Sequence, residues 1–461
     1  MKRFMSNGGI TILVLVMAMV FSIMLGGLVI FGTTQFNSTI RGSAHKKALM
    51  IADAGIQYYR WHLAHDPTDY FDGTGEEGVY VHEYSDPQGG VEGAFSLRIT
   101  PPEEGSTMVE IVSTGEENTY GVKRTVKSLF GRPSLATYSF LHNSNIWFGT
   151  GITVYGRVMS NGGIRQDGVN TSKVQSAKET YICGSETGCS PSETKDGVWG
   201  SGGPSELWEY PSSTIDFDGI GIDFNDMKTA AQTNNTYFGP SGSQGYHLEF
   251  LIDGTVDISR VNNTNWRRGY STENGCQRLY ERVSNKTLLG NYSVADNKIF
   301  FFEDTTWVEG VVNGRTTVVA ARFPLDVNET NIWIANNLVY VEKNGSNSLG
   351  IVAENDIYIA LDVPQIMEIN AALLAQGGSI LRHHYSLSGC SNNGSAVRDR
   401  LIIYGTVISN NRAAWNWGSG PDSGFTNRDV SYDSSFYLSP PPYFPTSDAY
   451  EFLTWDEISN P

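Results

Sequence analysis

Hydrophobic and polar positions predict one long helix at the start of the chain. No charged residue occurs between Ile10 and Phe31, a run of 22 residues, which matches the ~20 that a helix needs to cross a bilayer. From Ile40 to Leu63 apolar residues recur at steps of three and four, and Pro67 ends the pattern. We predict one helix over about 10–65, roughly 84 Å long. Its first half is apolar all round and its second half is amphipathic.

The next stretch, residues 67–132, alternates apolar and polar positions over short runs. Phe95, Leu97 and Ile99 show the period of two that half-buried strands require. Polar turns separate this run from "TMVEIVSTG" and "TYGVKRTVKSLF". We predict a small antiparallel β layer that packs on the second half of the helix.

The remaining residues, 133–461, form many strands of three to five residues with Asn- and Gly-rich corners. Ile332, Ile351 and Ile369 are 19 and 18 residues apart, close to the ~20-residue repeat of short solenoids. We predict a parallel β-solenoid, with a β-sandwich as the open alternative. A helix and a hairpin that turns at Asp253-Gly254 predict an insertion at about 213–296. The Pro-rich "SPPPYFPTSDAY" predicts an extended polyproline tail.

The predicted fold class is therefore a long N-terminal helix followed by a mainly β chain. The predicted domains are residues 1–66 with a membrane span at about 10–31, then 67–132, and then 133–461. The formal charge of −17 argues against a nucleic-acid partner, because a phosphate backbone would be repelled. The apolar run is longer than the core of a cleaved signal peptide, so we expect it to stay in the protein. Lys2 and Arg3 precede the run, which predicts that the N-terminus is cytoplasmic and that the chain after the run lies outside the membrane.

Export permits disulfides between the four cysteines. They are Cys183, Cys189, Cys276 and Cys390. Cys183 and Cys189 close the short loop "CGSETGC" and are the expected pair, with four unrelated thiols as the alternative.

The first 65 residues resemble those of type IV pilin-like proteins. A short basic leader ends in Gly8-Gly9 directly before the apolar helix, and "KKALMIADAGIQYYR" is similar to a segment of PilX-type minor pilins and their GspK-like relatives. The resemblance implies cleavage by a prepilin peptidase between Gly9 and Ile10, and methylation of Ile10. The positions that match the helix packing segment of the family are Ala52, Asp53, Ala54 and Gly55.

The resemblance also implies that the apolar half of the helix packs first in the membrane and then in a filament. The residues assigned to this role are Ile12, Leu13, Val14, Leu15, Phe21, Leu25, Leu28 and Phe31. Expected partners are other pilin subunits, the inner-membrane assembly machinery and a surface glycan or protein. "SNGGI" and "GYHLEF" are similar to segments of uncharacterised surface proteins with pilin-like N-termini from bacteria with small genomes.

One position departs from the family pattern and changes the expected role. Major pilins carry a glutamate where this chain has Val14, so the resemblance is to minor pilins at or near a filament tip. We predict a structural or adhesive subunit of a pilus or pseudopilus and not an enzyme. The alternatives are a membrane-anchored β-helix enzyme that acts on polysaccharide, and an anchored wall protein unrelated to pili.

Candidate chemistry in the head is sparse. A weak calcium site is considered at four acidic residues, with a solvated turn as the favoured interpretation: Asp216, Asp218, Asp223 and Asp226. We expect no zinc site, because adjacent His383 and His384 would point to opposite faces of a strand. We expect no cofactor, because the sequence has no P-loop or nucleotide fingerprint. Six carboxylates near predicted strands show no acid–base motif: Glu303, Asp304, Glu309, Glu354, Asp356 and Asp362. Trp415 and Trp417 are considered for ligand contact, with core packing favoured.

Overall fold

The computed structural model describes residues 8–325, 327, 329–392, 396–417, 422–447 and 450–459, which divide into two compact units. We call residues 8–102, 108–131 and 451–459 the stalk unit. Residues 103–107 and the described part of 132–450 are the head unit. The leader residues 1–7 lie outside the described residues. The domain boundaries given by the sequence stay a prediction.

The predicted long helix is confirmed as α1, a continuous helix over Gly8–His65. Residues 9–39 are exposed along their whole length. From there a buried stripe begins, with each member no more than 4% exposed: Ala44, Ala48, Ile51, Ala52, Ile56, Tyr59 and Leu63. In the sequence, the helix changes from apolar all round to a single apolar stripe. In the structure, it changes at the same place from fully exposed to packed on one side.

The stalk unit packs this stripe on an antiparallel sheet. Its first strands follow one another as β1 (Tyr80–Ser85), β2 (Val91–Thr100), β3 (Val109–Glu117) and β4 (Lys123–Gly131), each paired with the next. Phe95, Leu97 and Ile99 alternate toward the helix and join its buried stripe in one core.

The head unit is built from short strands on either side of a second helix, α2 (Ile220–Thr233). The strands before it are β5 (Tyr138–His142), β6 (Ile146–Phe148), β7 (Thr153–Val154), β8 (Arg157–Ser160), β9 (Ile164–Gln166), β10 (Val169–Asn170), β11 (Val174–Ser176), β12 (Thr180–Cys183), β13 (Glu193–Asp196), β14 (Val198–Trp199) and β15 (Trp208–Glu209). Single 3-10 turns occur at Leu135–Thr137, Ser185–Thr187, Ser205–Leu207 and Ser434–Tyr437.

The strands that follow α2 are longer on average. They are β16 (Tyr237–Phe238), β17 (Gly245–Phe250), β18 (Thr255–Ser271), β19 (Gly275–Ser293), β20 (Ile299–Phe302), β21 (Thr306–Val312), β22 (Arg315–Ala320), β23 (Ile332–Tyr340), β24 (Ser348–Ala353), β25 (Ile357–Ile359), β26 (Ile366–Ala375), β27 (Ile380–Leu381), β28 (Ser386–Leu387), β29 (Cys390–Ser391), β30 (Val397–Ser409), β31 (Asn416–Trp417) and β32 (Ser423–Ser431).

Parallel pairing between successive turns of the chain makes the head a solenoid of three-sided coils. One ladder runs β20-β22-β24-β26-β30, a second runs β21-β23-β25-β27, and a third joins β21, β23, β26, β30 and β32. The predicted mainly β head is confirmed. Residues that stack in register, such as Val318, Ile351 and Leu373, are 33 and 22 residues apart. The 18–19-residue spacing in the sequence instead links different faces of the coils.

The order of the coils does not follow the order of the chain. β5, the first strand of the head, pairs in parallel with β30, and the stack then continues through β8 and β11 to β15. The chain therefore starts in the middle of the stack, builds toward β15, and resumes at the opposite end with β16 on β20. Nine strand steps separate β15 from β16, or about 43 Å.

Helix α2 lies between β15 and β16 in the chain and packs on the outer face of the first ladder. Phe224, Met227 and Ala231 of α2 share a buried cluster with outward residues of the ladder such as Phe301 and Val319. Their neighbours Phe300 and Val318 face the core inside the coils. A strand that is apolar on both faces is therefore explained by two separate cores.

Within the predicted insertion at 213–296, β16 and β17 pair in parallel with β20 and β21 and so belong to a coil. The predicted turn at Asp253-Gly254 joins β17 to β18, which pair antiparallel, and β18 continues into a longer antiparallel hairpin with β19.

The final segment differs from the sequence expectation in its last residues. Backbone carbonyls of the Pro-rich stretch accept hydrogen bonds on the head, from Arg315 to Pro440 and from Leu135 to Pro445. The chain then forms one more strand, β33 (Glu451–Ile458), which pairs antiparallel with β4 and completes a five-stranded stalk sheet. Residues 132–450, the main part of the head unit, are thus inserted in the chain between two neighbouring strands of the stalk sheet.

Candidate functional site

The residues assigned to membrane and filament packing all lie on the bare half of α1. Ile12, Leu13, Val14, Leu15, Phe21, Leu25, Leu28 and Phe31 are each between 49% and 69% exposed. By length and composition α1 is able to cross a bilayer. Gly9 and Ile10, the predicted processing positions, are exposed at its start.

The segment at residues 52–55 lies in the part of α1 that packs on the stalk sheet. Ala52 and Gly55 are buried, and Asp53 and Ala54 are half-buried. A β-carbon added at Gly55 would lie 2.9 Å from the Phe95 ring and would overlap Ser113 Oγ. Small residues are therefore required here by the distance between helix and sheet.

A glycine of the sheet faces the same turn of the helix. A β-carbon on Gly115 of β3 would lie 2.9 Å from the carbonyl carbon of Ile51, and closer still to Ala48 O and Ala52 N. These neighbours are helix backbone, which has no rotamer through which to yield. Sequence reasoning missed Gly115, because nothing local distinguishes a contact glycine from a turn glycine.

Asp53 joins the helix to the last strand of the chain. The Trp455 indole on β33 donates a hydrogen bond to Asp53 Oδ1 at 2.9 Å. Sequence reasoning did not find this contact. The aromatic and β-branched residues of "EFLTWDEI" were the available signal, and they indicate a strand but not its partner.

The cysteines form two bonds within the head unit. Cys183 pairs with Cys189, six positions away, and closes the β12–β13 hairpin. Cys276 pairs with Cys390 across 114 positions. The second bond fastens the start of β19 to β29.

The predicted acidic residues are partly satisfied by backbone. Asp216 Oδ1 accepts a hydrogen bond from the Asp218 amide at 3.0 Å, which forms a local turn. The side chain of Asp223 lies outside the described residues, and Asp226 is exposed on α2. The calcium site stays a prediction.

A different group of metal-type ligands lies on the outer face of β17 and β21. His247 Nε2 is 2.8 Å from Glu309 Oε1, and the three ligand atoms of His247, Glu249 and Glu309 lie within 4.8 Å of one another. Lys286 Nζ, however, is 3.1 Å from both His247 Nδ1 and Glu249 Oε2. The lysine ammonium supplies the positive charge, so the group is an ion network.

The adjacent histidines take separate structural places. His383 is fully buried beside Trp333 and Tyr358, and burial lowers its pKa to about 3. His384 stacks on Trp417 with ring centroids 5.4 Å apart. Trp417 also donates to the Arg382 carbonyl, and Trp415 is 9% exposed. Both tryptophans therefore pack on the solenoid rather than facing a ligand.

The six predicted carboxylates each bind a protein group. Glu303 pairs with Lys228, Asp304 accepts from Ser241, and Glu309 pairs with His247. Glu354 accepts from Thr330, Asp356 from Tyr358, and Asp362 pairs with Arg267. Their positions are explained by the hydrogen bonds and ion pairs of the coils.

One buried carboxylate was not anticipated. Glu281 of β19 is 2% exposed, and it accepts hydrogen bonds from the Tyr385 hydroxyl at 2.6 Å and from the Leu361 amide at 3.2 Å. Burial raises the pKa of Glu281 to about 7, against the opposing effect of the two hydrogen bonds and the Arg382 charge. Glu281 therefore joins the β18–β19 hairpin to the solenoid through hydrogen bonds, and its carboxyl group titrates near neutral pH.

A groove of about 580 Å³ lies at the end of the stack that terminates in β14 and β15. We call it the coil-end groove; it is lined by residues 194–196, 198–200, 205, 208 and 210. The disulfide-closed hairpin supplies residues 194–196 of the lining, and Trp208 and Tyr210 come from β15 and the residues after it. Sequence reasoning missed it, because the lining comes from three segments that meet only in the folded head.

Comparisons with known proteins find similarity to a solved pilin structure. No protein-family model matches the chain, and no curated protein matches it. The crystal structure of the competence-associated pilin ComZ from Thermus thermophilus is similar at 13% identity, over 90% of this chain and 98% of that chain, with a TM-score of 0.29. At so low a TM-score, fold and function have to be argued from this chain's own residues.

Proposed function

We propose that this chain is a pilin-like structural subunit, a minor or tip component of a type IV pilus or pseudopilus. The observation that best supports it is the division of α1 into two halves of opposite burial. Residues 9–39 are exposed, whereas the stripe from Ala44 to Leu63 is buried on the stalk sheet. Such a helix is suited to lie first in lipid and later among the apolar helices of neighbouring subunits.

The proposed topology is a single pass through the inner membrane with the N-terminus inside. Lys2 and Arg3 precede the apolar run, and positive residues stay on the cytoplasmic side. The two disulfides of the head unit support export, because they persist in oxidising compartments. Prepilin peptidase and the pilus assembly machinery are the proposed partners in that membrane.

The proposed place near the tip depends on Val14. A carboxylate at this depth would cost on the order of 2.5–3.5 kcal/mol in the bilayer, and in major pilins it is recovered by pairing with the amine of a neighbour. Val14 has no such charge to neutralise. The subunit therefore gains less from being surrounded by copies of itself and is proposed to start or cap the filament, displaying its head for adhesion.

Mass spectrometry of the mature N-terminus tests processing. We expect a methylated Ile10 in the wild-type protein and loss of processing in Gly9→Val, with Gly8→Ala as the processed control. An intact Met1 in the wild type would contradict the proposal, as would a mature chain that begins after α1.

Deletion of the gene tests assembly. We expect fewer filaments by electron microscopy, restored by the wild-type chain but not by Gly9→Val. The protein should be present in sheared filaments in small amounts. Normal filaments in the deletion strain, together with its absence from the sheared fraction, would refute a role in the pilus.

A further inference from the structure

We propose that the coil-end groove binds an uncharged saccharide. The claim rests on the proposed function only for the location of the head outside the cell. Its chemistry rests on the residues at the terminal coil. A volume of about 580 Å³ lies within the range of roughly 300–1,000 Å³ that small-ligand sites occupy.

Two aromatic side chains in the groove are held at their polar edges: Trp208 is half-buried with its ring packed against the solenoid core, and Tyr210 is 37% exposed. Trp208 donates its Nε1 hydrogen to Asn170 Oδ1 at 3.1 Å, and the Tyr210 hydroxyl donates to Asp196 Oδ2 at 3.4 Å. Within the part of the chain that the structure describes, neither ring has another ring or a cation stacked on it. A flat apolar face with a fixed polar edge suits the C–H face of a pyranose.

The third ring of the groove has a different role. Trp199 donates to the Tyr181 hydroxyl at 2.8 Å, and both Arg165 and Lys195 lie over its ring, at 4.9 and 4.6 Å from the centroid. The Arg165 and Lys195 side chains cover and fix the Trp199 ring, so this ring is not free to stack on a ligand. The stacking surface is therefore assigned to Trp208 and Tyr210.

The polar groups around these rings match hydroxyls rather than ions. Lys195 and Asp196 are the charged lining residues, and their charges cancel. The hydroxyls of Thr194 and Ser205 add groups that both donate and accept. A neutral polyol can exchange its bonds to water for these bonds, whereas an ion would meet no net opposite charge.

The same residues favour binding over cleavage. Asp196 is the carboxylate among the lining residues, and glycoside hydrolysis uses a pair of carboxylates on either side of the bond. The groove would therefore hold a sugar chain without cutting it, as adhesion requires.

A saccharide microarray probed with the full chain in detergent micelles tests this inference, followed by calorimetric titration of the bound saccharide. We expect Trp208→Ala and Tyr210→Ala each to weaken binding about tenfold. Trp208→Phe and Tyr210→Phe keep a ring and should retain most of the affinity. Trp266→Ala is the matched control, because this 43% exposed tryptophan of β18 lies outside the lining and shares no contact with Trp199.

Three outcomes would overturn the inference: no saccharide retained above the Trp208→Ala background, binding unchanged in both alanine variants, or binding of a proline decamer in place of any saccharide. Thermal unfolding of each variant separates lost binding from a lost fold. If the chain binds a saccharide but carries no methyl group at Ile10, the pilin role is refuted and the saccharide site stands. If the chain assembles into normal filaments but binds no saccharide, the saccharide site is refuted and the pilin role stands.

Discussion

The contact between α1 and the stalk sheet offers the sharpest test of the structure. Gly115→Ala adds one methyl group where a β-carbon would meet the helix backbone at Ala48, Ile51 and Ala52. Gly115 lies within β3 with its paired register intact, so alanine is tolerated by the strand itself. The expected damage is steric, and it requires the helix to move away from the sheet.

The cost follows from what surrounds the new methyl group. Overpacking of a core costs typically about 1–3 kcal/mol, and backbone neighbours that cannot rotate place this site at the upper end. Ala48, Ile51 and Ala52 are all 0% exposed, so lifting the helix opens contacts on each. We expect the stalk unit to lose about 3 kcal/mol, which is about a hundredfold in an equilibrium constant.

Hydrogen exchange measured by mass spectrometry reports this loss locally, which matters because two units need not unfold together. Peptides from β3 should exchange about a hundredfold faster in Gly115→Ala, while head peptides stay unchanged. Gly42→Ala is the matched control: nothing lies within 4 Å of its added β-carbon, and a helical glycine-to-alanine change gains up to about 1 kcal/mol. Equal protection in Gly115→Ala and wild type would refute the packing described here.

Three further predictions concern single contacts. Glu281, with a folded pKa of about 7 against 4.5 unfolded, should contribute stability that is present below pH 4.5 and lost as pH rises to 7. The free energy of unfolding should fall by on the order of 3 kcal/mol over this pH range. In urea unfolding at several pH values, Glu281→Gln should remove this pH dependence, and an unchanged dependence would contradict the prediction. Cys276→Ser opens a loop of 114 positions, and Cys183→Ser opens one of six. Because a longer loop gains more entropy when it is released, guanidinium unfolding should show that the free energy of unfolding falls by about 5 kcal/mol in the first variant and about 2 kcal/mol in the second. Equal decreases would contradict this dependence on loop length. Asp53→Ala should raise exchange in β33 by removing an acceptor worth about 1 kcal/mol, whereas Asp53→Asn should not; equal effects would show that the Trp455 bond is not responsible.

The sequence by itself determined the elements whose signal is local. A charge-free run of 22 residues and then a stripe at steps of three and four were sufficient for α1, because helical periodicity reports which face will be buried. Alternation at Phe95, Leu97 and Ile99 was likewise sufficient for a half-buried strand. The resemblance to pilins drew attention to residues 52–55, but only packing shows why small residues are needed there.

Tertiary structure decided everything that depends on partners distant in the chain. The pairing of β33 with β4, the stacking of β5 on β30 and the crossing of α2 each join residues separated by long stretches of sequence. The coil-end groove likewise exists only where a hairpin meets the last coil. Periodicity indicates which side of an element is apolar, but many edges and faces can satisfy that requirement. The choice among them is made by the complete set of contacts in the folded chain.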